Sequence, residues 1–228
     1  MSTASVPDEL IESLRTHASL LITSSEMKAT GASDPRDDFV RQQLKRAAEL
    51  VSGAAALGAV ANPACLGILS RSLLEQLITV LWGIRSIENA ESQSSAGTAQ
   101  LAKALKMNLQ EGTAQVFDQI TGEEVTARYL DREQAKRSSP PSIQQQAKEA
   151  DVADLYTVFY RFLSLETHGH NESPKEKSEI VDLCVIHLQG IGGISRAIGQ
   201  GCAWWLIHRH WPDNESLREV LGLNAKAL

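Results

Sequence analysis

Thr157, Arg161, Ser164 and His168 follow one another at spacings of four, three and four. On an α-helix that pattern stacks all of them on one face. Two of these side-chain types can do chemistry. An imidazole titrates near neutrality and can both accept and release a proton. A guanidinium offers a fixed fork of donors to an anion. The plain reading is a solvated polar stripe. The sharper one is that a second element, or a second subunit, covers the stripe and makes a pocket. Glu166 breaks the pattern, because it points into the apolar arc formed by Val152, Leu155, Tyr156, Val158, Phe159, Phe162, Leu163 and Leu165. It either sits at a frayed helix end or pairs inside the fold, with Arg71 the partner of interest.

Arg71 itself lies four residues before Glu75, the spacing of an intrahelical pair. A structural pair is the ordinary reading, and a polar group held in the interior for a site is the other. Histidine pairs at 168/170, with Glu172 nearby, and at 208/210 raise the question of a metal. Two histidines two apart chelate on a loop or strand, but on a helix they diverge. No Cys-x-x-Cys, His-Glu-x-x-His or four-glutamate pattern completes a site. No metal and no cofactor are expected. His187, inside an apolar stripe, reads as a hydrogen-bonded core histidine. No phosphate loop, dinucleotide fingerprint or nucleophile elbow is present.

The elements that must position these residues are helical. Residues 66–87 are apolar over well more than half of a helical wheel, so this segment should be buried on most sides at the centre of a bundle. Before it, Pro7 with Asp8 and Glu9 opens a helix to about residue 28, Asp34-Pro35 opens a second to about residue 58, and Asn62-Pro63 restarts the chain. Residues 89–150 are more polar, with breaks at Ile120-Thr121-Gly122 and at residues 138–142, and read as a peripheral excursion. Within it Arg128, Arg132, Lys136 and Arg137 form a solvated helix face. A helix follows from Ser142 or Asp151 through residue 168. The last long helix starts near Pro174 and runs toward Trp211, before a short terminal helix ending at Gly222.

That long helix has a core stripe of Ile180, Cys184, Ile191, Ile194, Ile198, Cys202 and Trp205. Beside it runs a stripe of small residues, Gly190, Gly193, Ala197 and Gly201. Glycine inside a helix costs about 1 kcal/mol relative to alanine, so the stripe predicts close approach of another helix, from this chain or from a second copy in a homodimer.

The chain has 228 residues, 43% of them hydrophobic, 5% aromatic, with a formal net charge of −6. That length suits one domain, residues 1–228. The negative balance argues against a dedicated DNA or membrane-surface binder. Cys65, Cys184 and Cys202 follow no spacing motif, and the last two would lie about 27 Å apart on one helix, too far to pair. The start shows no basic and apolar leader, and no apolar run of spanning length lacks charge. The cytoplasm is the expected location.

RSLLE at residues 71–75 and YRFLSLETH at residues 160–168 resemble a family of uncharacterised bacterial helical proteins. That family has an Arg-x-x-x-Glu helix and then a Tyr-rich helix with Ser-x-x-x-His. The resemblance brings no activity with it. Arg161 and His168, with six residues between them, also resemble, more loosely, the HEPN superfamily signature of an Arg and a His separated by four to six residues. Phe162 departs from that pattern. The HEPN resemblance implies a dimeric, metal-independent ribonuclease of defence or toxin–antitoxin systems, with Arg161 and His168 catalytic and Tyr160 and Ser164 supporting. Cleavage by internal 2′-hydroxyl attack would use His168 for proton transfer and Arg161 for the phosphate charge.

The sequence therefore predicts an all-α bundle of about six to eight helices with a polar excursion. The preferred function is non-catalytic binding or scaffolding, with Arg71, Glu75, Glu166, Ser164 and His168 in a buried polar network. The alternative is the ribonuclease, with RNA as partner.

Overall fold

The computed structural model describes residues 5–27, 33–111, 113–134, 140–160, 163 and 176–210. It is an all-α bundle. The described elements are α1 (Asp8–Ser25), α2 (Pro35–Ala59), α3 (Pro63–Gly83), α4 (Ile87–Gln110), α5 (Thr126–Gln134), α6 (Ile143–Glu149), a single turn α7 (Ala153–Leu155), a π-helical turn (Tyr156–Tyr160) and α8 (Lys177–His210).

Local chemistry sets the helix starts. Asp34 accepts a hydrogen bond from the Arg36 backbone N–H at 2.9 Å, with Pro35 at the first helical position. Asn62 caps α3 in the same way through the Cys65 N–H at 3.1 Å, ahead of Pro63. α1 and α2 form an antiparallel pair, α1 burying Ile11, Leu14, Ala18 and Leu21 at helical spacing. α3 lies at the centre, packed by α2, α4, α6 and α8. Its Leu66, Leu73, Ile78 and Val80 are wholly buried. From α8, Cys184, Leu188, Ile191, Ile198, Cys202 and Trp205 enter the same core, largely the expected stripe. Burial pushes the Cys202 thiol up to about 12, so it behaves as an inert apolar side chain.

By length and composition alone, Pro63–Gly83 and the Lys177–Leu206 part of α8 are long and apolar enough to cross a membrane. For α3, 56% of the most apolar window is buried by other helices, against 33% for α8. α3 is thus a bundle core, whereas α8 keeps an apolar side that the described residues leave uncovered.

Four expectations are refined by the structure. The central helix ends at Gly83 and not at residue 87. Gly83 faces the buried Phe39 ring closely, and α4 then starts after Ser86, whose Oγ accepts from the Asn89 N–H at 3.1 Å.

Second, the excursion over residues 89–150 is helical in large part and is tied to the bundle. α4 packs on α2 and α3, with Ala90 buried. α6 docks on α3, where Ala147 and Gln146 are buried. Gln146 Oε1 accepts from Thr79 Oγ1 at 3.0 Å, Trp82 Nε1 donates to Glu149 at 2.6 Å, and Arg85 donates to the carbonyls of Glu149 and Ala150, each at 2.8 Å. Among the described residues, the hairpin-like stretch bridging Phe117 and Glu124 stands out, with Phe117 and Ile120 exposed. Its turn is the predicted break, with Gly122 at φ 70°.

Third, the helix expected through residue 168 begins as one α turn and then widens into the π turn. Hydrogen bonding five residues back rather than four shifts the register. Val158 and Phe159, expected in the core, are 60% and 56% exposed, so the apolar arc of a regular helix does not apply here. Thr157 is exposed too.

Fourth, the small-residue stripe is not filled along its length. A Cβ at Gly201 would meet Leu81 at 3.5 Å, but at Gly190 and Gly193 no described atom lies within 4 Å. On α2, Gly58 admits a close neighbour from α8: Leu188 packs on it with a methyl 2.8 Å from where a Cβ would be.

Candidate functional site

The middle of α3 presents Arg71 and Glu75 at helical spacing, so both heads leave the same side of the helix. Arg71 Nε donates to Glu75 Oε1 at 3.2 Å. The π turn brings Tyr160 to the same place, where Arg71 Nη2 donates to the Tyr160 hydroxyl at 2.8 Å. The guanidinium carbon lies 4.9 Å from the centre of the Tyr160 ring. Tyr160 in turn stacks on Tyr156, with ring centroids 4.7 Å apart. One cation thus joins an acid on its own helix to a phenol 89 residues away.

The electrostatics follow from partial burial. Burial works against the charge on Arg71, but the Tyr160 hydrogen bond and the Glu75 carboxylate outweigh it and raise its pKa. Burial raises the Tyr160 phenol, the guanidinium draws it down, and the carboxylate again favours the protonated form. At neutral pH the cluster is a paired cation and a neutral phenol. That arrangement clasps two elements together.

Arg161, Ser164, Glu166 and His168 lie outside the described residues, as do His170 and Glu172. The structure therefore brings together Arg71, Glu75 and Tyr160 from the predicted set. No cluster of three or more His, Cys, Asp or Glu among the described residues could hold a metal ion.

Beside the clasp lies an apolar cavity of about 690 Å³, bounded by α3, the π turn and α8. Leu74, Leu77, Val158, Phe159, Ile186, Gly190 and Gly193 line it, with Ser70 and the buried His187 as polar members. Ser70 donates to the Leu66 carbonyl at 2.9 Å, so its hydroxyl proton is committed within the helix.

Sequence reasoning missed the other charged centre. Asp37, in the first turn of α2, is 5% exposed. It accepts from Trp205 Nε1 at 2.9 Å and from Arg209 Nε and Nη2 at 3.1 and 2.9 Å. Arg36 lies over the Trp205 ring at 4.3 Å. The partners are 168 and 172 residues apart, and no local pattern links them.

No curated protein matches the chain, and no solved structure does. A family does match, from the first turn of α2 to the first residue of α8, a span that carries Arg71, Glu75, Tyr160 and every residue of the predicted Ser-x-x-x-His segment. By that match, over residues 37–177 and more than half of its length, the chain belongs to a family of unknown function, DUF5677.

Proposed function

We propose that this chain, as one domain, works by binding and not by catalysis. In this reading Arg71, Glu75 and Tyr160 form the anchored end of a polar network that Ser164, Glu166 and His168 extend. The observation that carries the reading is the engagement of Arg71. Its guanidinium donates to Glu75 and Tyr160 and lies against an aromatic ring, which suits a structural clasp. The free cysteines suit a reducing compartment, so we place the chain in the cytoplasm.

A homodimer belongs to the same reading. Gly190 and Gly193 meet no described atom, and Val158, Phe159 and Ile186 around them are exposed. A second copy of α8 could approach there along Gly190, Gly193, Ala197 and Gly201. Gly193→Leu, which has room within the chain, is expected to convert dimer to monomer in sedimentation. A wild-type monomer, or an unchanged dimer in the variant, removes the dimer from the proposal.

The second reading is the metal-independent ribonuclease with Arg161 and His168 catalytic and Tyr160 and Ser164 supporting. What favours it is the π turn that ends at Tyr160, immediately before Arg161, because such turns recur at functional sites. RNA cleavage in EDTA by wild type, Arg161→Ala and His168→Ala separates the two. Binding alone predicts no cleavage above background in any of the three. Cleavage by wild type that both folded variants lose would replace the binding reading with the ribonuclease.

A further inference from the structure

Between α4 and α5 the hairpin-like stretch takes its order from hydrogen bonds and not from a core. The Val125 N–H donates to the Val116 carbonyl at 2.8 Å, and the Asp118 N–H donates to the Glu123 carbonyl at 2.9 Å. Thr126 Oγ1 accepts from the Val116 N–H at 2.7 Å. At the tip, Asp118 Oδ1 accepts from the N–H groups of Ile120 and Thr121 at 2.8 and 2.9 Å. Gly122, at φ 70°, closes the turn. None of the described residues from Thr113 to Arg132 is buried. α5, which follows, packs on α4.

A built turn without a core ordinarily shows polar side chains to water. This one shows apolar ones. Ile120 is 95% exposed and Phe117 is 55% exposed, and Met107, in the last turn of α4, is 56% exposed. Exposed apolar residues are ordinary when scattered singly. These fall together within residues 107–120, and the Asp118 hydrogen bonds fix the backbone at Ile120. Order already present in the free chain removes a cost that binding would otherwise carry.

Charge narrows the partner. Between Lys106 and Arg128 the chain carries Glu111, Asp118, Glu123 and Glu124 and no lysine or arginine. The Thr121 and Ile120 N–H groups hold Asp118 below the usual carboxylate range, so it stays ionised at neutral pH. Such a tip is repelled by an anionic lipid surface and by a nucleic-acid backbone. Its complement is an apolar pocket edged by lysines or arginines, which is a protein surface.

We propose that the turn over residues 116–125 docks into another protein, with Phe117 and Ile120 entering an apolar pocket and Asp118, Glu123 and Glu124 pairing with a basic rim. The proposal rests on the binding reading and gives it a partner surface that shares no residue with the Arg71 clasp.

The first probe is photoreactive benzoylphenylalanine in place of Ile120, in the full chain and in the cells that make it. The control carries the same group in place of Val60, which is 71% exposed at the end of α2. Light should link position 120, and not position 60, to one particular protein. That protein is then purified and titrated with the unmodified chain. Ile120→Asp should weaken binding about thirtyfold or more, as the loss of an anchor does. Glu123→Lys with Glu124→Lys should weaken it too, and wild-type affinity should fall as salt rises. All three positions are exposed, so the variants should keep the circular dichroism of wild type. The proposal is overturned by the absence of a link specific to position 120, or by a link to lipid, to nucleic acid or to a second copy of this chain. It is overturned equally by a captured protein that binds Ile120→Asp as tightly as wild type, or that is indifferent to salt and to charge reversal. Failure of the binding reading itself shows separately, as RNA cleavage in EDTA.

Discussion

Asp37→Ala is expected to destabilise the fold by about 3–5 kcal/mol, the usual consequence of removing one partner from a buried ion pair. The Asp37 side chain is 7% exposed and that of Arg209 is 19% exposed. Alanine leaves the guanidinium and the Trp205 N–H without their shared acceptor in a site that water reaches poorly. Arg209 is held firmly in its charged form mainly by its hydrogen bond to Asp37, so it cannot escape the loss by giving up its proton. Asp37→Asn keeps an oxygen for Trp205 but no charge, and should fall between wild type and alanine. Urea unfolding followed by Trp fluorescence checks both variants. A loss below about 1 kcal/mol for alanine would mean that the pair is hydrated like a surface bridge.

Gly83→Ala is expected to cost up to about 3 kcal/mol, although alanine ordinarily favours a helix. A Cβ at Gly83 would land on the ring of Phe39, at Cζ and Cε1. Phe39 is 1% exposed and packed within the core. The origin is steric, so it should be relieved by a smaller neighbour. Phe39→Leu in the Gly83→Ala background should recover part of the loss, with a coupling of about 1 kcal/mol or more in a double-mutant cycle. Additive losses would show that the ring turns aside freely and that Gly83 is not a packing requirement.

The fold was legible where its determinants are local. Asp34-Pro35 and Asn62-Pro63 mark helix starts because a cap and a proline act within four residues of each other. The buried stripe from Cys184 to Trp205 was legible because one helix repeats one spacing along its length. The π turn was not. Its residues suit a regular helix, and the departure follows Asp151, which takes φ 56° where a turn was not evident from composition. Nor was the docking of α6, a short polar segment that buries Gln146 and Ala147. Arg71 and Glu75 were found as a pair from their spacing, while Tyr160 joins them across 89 residues, a distance over which sequence patterns have no reach. The side-chain carbonyls of Gln76 and Gln93, buried with no hydrogen-bond partner, are the extreme case, since a glutamine on a helix signals nothing until its neighbours are known.

The order in which the chain is made gives the central helix a particular history. α3 needs α2 on one side and α8 on another, yet α8 begins at Lys177, some way behind Gly83. During synthesis the α8 side of α3 is therefore exposed while α4 to α6 emerge. The Asp37 tie forms only when Trp205 and Arg209 arrive, after every other described helix has been made. Such late, non-local closure slows folding and leaves apolar surface open to wrong partners in the interval. Cooperative folding of the nascent chain thus waits on its last described helix, and a chain stopped before α8 would present the face of α3 to whatever chaperone or protease reaches it first.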